Sequence, residues 1–167
     1  PARQTAPPLP VSVHPPTCVQ VYSSGTRHGQ IYLVMELVDH GSLDDLMAQL
    51  RRVPEAQALR AGLQVAKGLQ AAHAKGLIHR DVKPANILFA NVETAKIGDF
   101  GLAVTAGQHA EAAHEIWGTP YNVAPERLNN EPEDFRSDIY SLGATLFHAL
   151  AGRPPIQGET TSASELR

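Results

Sequence analysis

The residues best suited to chemistry lie in one run, HRDVKPANILF, at positions 79–89. It holds an acid, a base and an amide: Asp81, Lys83 and Asn86. Pro84 disfavours helix for Lys83, the residue before it, so the three are predicted on a loop. A second acid, Asp99, follows 18 residues after Asp81 in GDFG, where Gly98 and Gly101 permit a tight turn. Such a set suits metal-assisted phosphoryl transfer. That reaction needs oxygen ligands for Mg²⁺, a cation for phosphate charge and a carboxylate near the attacking hydroxyl.

Elements on both sides must hold these residues. Thr17 to Tyr22 and Ile31 to Val38 are rich in Val, Ile and Tyr, with the polar SSGTRHGQ between them, and predict an antiparallel hairpin. Ser42, with Asp45 three residues on, reads as a capping box opening a helix at LDDLM. Pro54 and Glu55 open a longer helix with apolar residues at Leu59, Leu63, Ala66, Leu69 and Ala72, and Gly76 stands where a left-handed cap would end it. ILFA at 87–90 and AKIGD at 95–99 predict short strands, so the run 79–86 is framed by a helix and a strand. A further helix is predicted from Asp138 to Leu150, stopped by Gly152 and Pro154–Pro155. The order is a small β piece followed by helices with short strands between them, an α+β class.

Composition narrows the function classes. The 167 residues are 43% hydrophobic and 19% charged, which predicts a folded domain. A net charge of −3 leaves no electrostatic footprint for nucleic acid. One cysteine, Cys18, excludes an internal disulfide framework, and no apolar run is long enough to cross a bilayer. No apolar leader follows Pro1, so a cytoplasmic location is expected.

HRDVKPAN, DFG and APE (Ala124–Glu126), in that order, resemble the signature set of protein kinases. GTPYNVAPE and SDIYSLGATLFHALAGRPP extend the likeness over about residues 14 to 167. The lysine two residues after Asp81 is the serine/threonine pattern, and the compact, alanine-rich style resembles bacterial kinases. The resemblance implies a kinase-like fold transferring the γ-phosphoryl group of ATP, with Mg²⁺, to a Ser or Thr hydroxyl of a protein substrate. It implies that Asp81 handles the substrate hydroxyl proton, that Lys83 offsets phosphate charge and that Asn86 and Asp99 hold metal. Thr119 matches the threonine that bonds to the catalytic Asp and Lys. Met35 falls at the gatekeeper, Glu36 to Val38 at the hinge whose backbone binds adenine, and Leu88 at the adenine floor. His79 and Phe100 belong to a packed column, with Val21 above them, and Asp138 ties down the catalytic-loop backbone. Arg80, beside the catalytic acid, is of the kind that pairs with an activation-segment phosphate.

The sequence also departs from the family. Residues 1–13 hold no glycine and read as proline-rich and irregular; the first lysine is Lys67 and the first acid Glu36. The Gly-rich loop, strand lysine and helix glutamate are therefore missing, and the chain ends soon after GRPPIQG. The expectation is an interior piece of a kinase domain: 14–35 a remnant hairpin of the N-lobe, 36–40 the hinge and 41–167 an incomplete C-lobe. Glu126 is expected to lack the arginine that the family pairs with it. Little or no activity is expected of the chain alone, since positioning supplies most of the catalysis in this reaction. The alternative is a non-catalytic, pseudokinase-like scaffold. Thr105, the one hydroxyl residue between DFG and GTP, favours it; the surviving trio of Asp81, Asn86 and Asp99 argues against it.

Taken singly, these residues have plainer readings. His79 is a buried packing histidine, Asp81 and Asn86 are turn formers, Asp99 is a cap and Lys83 a surface lysine. The unbroken match from His79 to Phe89 outweighs those readings, except for His79, whose role stays packing. Cys18 is expected in the core, Trp117 packed under the activation segment, and the remaining histidines show no metal-site spacing.

Overall fold

The computed structural model describes residues 16–100, 103–105 and 120–156. The proline-rich 1–13, Gly101, Trp117 and Thr119 lie outside the described residues.

The chain first forms a hairpin, β1 (Val21–Arg27) against β2 (Gln30–Met35), in the register Val21↔Met35 to Arg27↔Gln30. The expected strands lay at 17–22 and 31–38, so most of the polar SSGTRHGQ is strand rather than turn. The turn shrinks to His28 and Gly29, with φ of 52° and 79°. Two successive positive φ values suit the two-residue turn whose twist matches its strands. Polar residues fit these strands because nothing packs either face tightly: every residue of β2 is exposed, including Ile31, Leu33 and Met35.

Helix α1 (Leu43–Leu50) begins at the expected capping box, where Ser42 Oγ accepts from Asp45 N at 3.1 Å and Ser42 N donates to Asp45 Oδ2 at 2.8 Å. Helix α2 (Glu55–His73) is central. Its buried stripe is Ala58, Ala61, Gly62, Val65, Gly68, Leu69 and Ala72. Of the apolar positions predicted at helical spacing, Leu69 and Ala72 are buried, whereas Leu59 and Leu63 are exposed. Small residues win because two elements approach closely: a Cβ on Gly62 would stand 2.8 Å from Leu146 Cδ1, and one on Gly68 2.8 Å from Ile97 Cγ2. The chain turns at Gly76, φ 72°, as expected.

Two short strands were not legible in the sequence: β3 (Leu77–Ile78) pairs with β6 (Val104–Thr105). Between them run β4 (Ile87–Asn91) and β5 (Thr94–Ile97), an antiparallel pair joined to Cys18 by a bridge at Ile97. After the short α3 (Pro125–Leu128), α4 (Phe135–Ala151) starts three residues earlier than expected, capped by Asp134 accepting from Arg136 N, and ends at left-handed Gly152. The core joins α1, α2, β4, β5 and α4 through Leu43, Val65, Leu69, Ile87, Ile97 and Leu142. No helix among the described residues is long and apolar enough to cross a membrane.

Candidate active site

The segment from His79 to Asn86 is fixed at its start by a buried acid of α4. Asp138 accepts from His79 N at 2.9 Å through Oδ2 and from Arg80 N at 2.8 Å through Oδ1. His73 Nε2, at the end of α2, lies 2.7 Å from the same Oδ2. Asp138 is fully buried, so each of these contacts forms in a weakly polarisable interior, where a hydrogen bond is electrostatically stronger than in water. The backbone-tying part assigned to Asp138 is what the geometry displays.

Asp81, Lys83 and Asn86 converge. Lys83 Nζ donates to Asp81 Oδ2 at 2.8 Å, and Asn86 Nδ2 donates to the same oxygen at 2.9 Å and to the Asp81 carbonyl at 2.8 Å. Both side-chain donors choose Oδ2, so Oδ1 takes no part in these two contacts. Lys83 and Asp81 are 40% and 22% exposed, so the pair opens to solvent rather than closing into the core. Asn86 stands not on open loop, as expected, but on one turn of 3₁₀ helix, Pro84–Asn86. Proline at its first position needs no N–H there, which explains why the motif can tighten.

Asp99 is brought to this cluster by the turn before it. Gly98 N donates to the Asn86 carbonyl at 2.9 Å, and the Gly98 carbonyl lies 2.9 Å from His79 Nε2. The His79 and Phe100 rings meet with centroids 4.5 Å apart. His79 is thus more than packing, the part the sequence reading gave it. Its Nδ1 accepts from Asp81 N at 3.2 Å while Nε2 faces the Gly98 carbonyl, which fixes the neutral Nε2–H tautomer. Burial holds its pKa below the ordinary imidazole value, against the pull of Asp138, Asp81 and Asp99. One ring therefore couples the two acids' backbones. Asp99 itself has φ 56°, and Arg80 has φ 69°. Left-handed backbone at non-glycine residues is strained by about 1–3 kcal/mol and collects at functional sites.

Asn86 commits its amide N–H groups to Asp81, so its carbonyl oxygen and the Asp99 carboxylate are the atoms suited to a hard divalent cation. An all-oxygen donor set of this kind fits Mg²⁺. No cluster of three or more His, Cys, Asp or Glu stands ready for a metal among the described residues.

The adenine-side candidates are partly assembled. Residues 36–39 form an irregular stretch between β2 and α1, with Glu36 N bonded to the Gln20 carbonyl at 2.8 Å. Val38 lies in that stretch, Met35 ends β2 with its side chain half open to solvent, and Leu88 is half-buried on β4. A Cβ on Gly98 would stand 3.5 Å from Leu88 Cδ1, which puts the floor residue beside the Asp99 turn. The sequence reading gave the hinge side chains little weight. Glu36, however, pairs with Lys96 of β5, and Oε2 accepts from Gln20 N at 3.2 Å. These bonds hold its carboxyl below the usual carboxylate range. Spacing could not reveal a pair 60 residues apart.

Glu126 accepts from the hydroxyl of Ser137 on α4. Arg80, whose expected phosphate partner would stand on the activation segment, is paired with Glu133 just before α4. Cys18 is buried as expected, and its thiol is pushed up to about 11 by that burial.

Comparison with known proteins identifies the family. The model of the protein kinase domain matches residues 10–167. A probable serine/threonine-protein kinase of Clostridium perfringens is 36% identical over 146 residues, covering 87% of this chain and 21% of the relative. Serine/threonine-protein kinase PknB of Mycobacterium leprae is 36% identical over 151 residues, covering 87% and 24%. PLK4 of Nematostella vectensis, also a serine/threonine-protein kinase, is 35% identical over 150 residues, covering 89% and 15%. The chain thus spans a quarter or less of the length of each of these relatives. With a family model over nearly its whole length and serine/threonine-protein kinases as its relatives, the chain belongs to the protein kinase family, of serine/threonine type.

Proposed function

We propose that the site transfers the γ-phosphoryl group of ATP to a Ser or Thr hydroxyl of a protein substrate. The observation that carries this reading is the convergence of Lys83 and Asn86 on Asp81, with the Asp99 turn bonded to the same segment. Asp81 Oδ1 receives or orients the hydroxyl proton. Lys83, 2.8 Å from the other oxygen, offsets charge on the transferring group. Asn86 and Asp99 would hold Mg²⁺, which supplies neutralisation of phosphate charge when bound. Thr119 is proposed to bond to Asp81 and Lys83. Met35, the Glu36–Val38 backbone and Leu88 would receive adenine. A low rate is proposed for this chain by itself, because it has no lysine before Lys67 to orient the phosphates. A cytoplasmic setting accompanies the proposal.

The test is calorimetric titration of the chain with ATP and Mg²⁺, beside Asp99→Ala, followed by phosphotransfer with Asp81→Asn as control. Metal-dependent binding that the Asp99 variant loses supports the reading. No binding by folded, monodisperse chain overturns the claim that hinge and lower lobe alone form the nucleotide site.

A further inference from the structure

Arg80 is the residue whose backbone aims Asp81, and it is held on every side. Its N–H donates to Asp138, its carbonyl accepts from Arg127 Nη1, and its guanidinium Nε donates to Glu133 Oε2. The other oxygen of Glu133 lies 3.6 Å from Arg127 Nε. One carboxylate therefore faces two guanidinium groups. The three side chains are only 12%, 9% and 13% exposed for Arg80, Glu133 and Arg127. Burial and the like charge of Arg80 hold the Arg127 pKa below its ordinary value, while Glu133 works the other way. Without Glu133, two nearly buried cations would stand together with less to offset them, a costly arrangement. Glu133 lies on the connection between α3 and α4, outside every motif discussed above.

We propose that Glu133 is a positioning residue, a built-in counter-anion that clamps Arg80 and Arg127 and so sets Asp81 without any added phosphate. Two arginines converging on one anion also form the arrangement that recognises phosphate oxygens. The carboxylate occupies the place that an activation-segment phosphate was expected to take. This inference rests on reading Asp81 as the catalytic acid.

The experiment compares the chain with its Glu133→Ala, Glu133→Asp and Glu133→Gln variants, using inorganic phosphate as the probe. Backbone hydrogen exchange at Arg80 and Asp81 is the first readout. Exchange at both amides is expected to quicken by about tenfold in Glu133→Ala, to recover partly in Glu133→Asp, and to recover when phosphate is added. Phosphate is also expected to raise the melting temperature of Glu133→Ala more than that of the parent chain. A merely structural glutamate would give no such rescue. Equal exchange at these amides in parent and variant, or an equal response to phosphate, overturns the proposal. Should Glu133→Ala fail to fold, Glu133→Gln keeps the shape and loses the charge, and its exchange rates decide. In phosphotransfer, Glu133→Ala should lower kcat and leave KM for ATP unchanged. Phosphotransfer too slow to measure in the parent chain matches the low rate proposed for it, and exchange and phosphate binding then judge the clamp; phosphotransfer that Asp81→Asn retains would count against the Asp81 reading alone.

Discussion

Asp138→Asn puts the support of the candidate catalytic loop to a quantitative test. Asp138 is fully buried, and its two oxygens take the N–H groups of His79 and Arg80 at 2.9 and 2.8 Å, with His73 Nε2 at 2.7 Å. Asparagine keeps the shape but offers one oxygen. Turned one way, its NH₂ faces Arg80 N–H; turned the other, it faces His79 N–H. Either way one buried donor loses its acceptor. Hydrogen bonds to a charged acceptor contribute about 1.5–3 kcal/mol, and an orphaned buried donor costs about 1–3 kcal/mol. Removing a buried charge returns part of this through relieved desolvation. The expected net loss is about 2–3 kcal/mol, a fall in melting temperature of about 4–12 °C for a chain of this size. Denaturant unfolding and thermal melting read the total. Backbone hydrogen exchange reads the location, with the amides of His79 and Arg80 losing protection ahead of those in the middle of α2. An unchanged melting temperature, or a loss of protection spread evenly through α2 and α4, would refute the idea that Asp138 holds this loop.

Four further outcomes follow from particular residues. His79 is neutral and its pKa is depressed, so below the ordinary value of 6.5 the unfolded chain takes up a proton that the native ring does not. Its stabilising contribution is full above pH 6.5 and is lost as pH falls from there toward the native value; the stability difference between parent and His79→Gln, measured across that range, should narrow toward the acid end. Gly68→Ala adds a Cβ 2.8 Å from Ile97 Cγ2 and 3.1 Å from the Thr17 carbonyl, backbone that a bridge holds in place. Overpacking of about 1–3 kcal/mol exceeds the helix-propensity gain of about 1 kcal/mol, so it destabilises. Gly143→Ala on α4 meets nothing within 4 Å and should stabilise by about 0.5–1 kcal/mol, a contrast that denaturant unfolding can read. Cys18, with its thiol at about 11 and its side chain in the core, should resist alkylation at pH 8 in native chain and react readily in denaturant; equal rates in both would contradict its burial.

The family signature and the local grammar were legible in the residues alone. The order of HRDVKPAN, DFG and APE named the acids, the lysine and the amide. Ser42 with Asp45, Gly76 and Gly152 marked helix ends correctly, because caps act within a few residues of chain. What the sequence misled on depended on neighbours far along the chain. Of the apolar α2 positions at helical spacing, Leu69 and Ala72 are buried, while close approach by Leu146 and Ile97 selects Gly62 and Gly68 and leaves Leu59 and Leu63 outside. The polar strand of the hairpin was taken for turn, because alternation marks a strand only where one face is packed. Only the tertiary structure brought His79 between Asp81 and Gly98, Lys96 to Glu36, and Glu133 between Arg80 and Arg127. Each joins residues that local pattern cannot relate. Sequence supplied the candidate groups; packing between α2, α4 and the short strands decided their geometry.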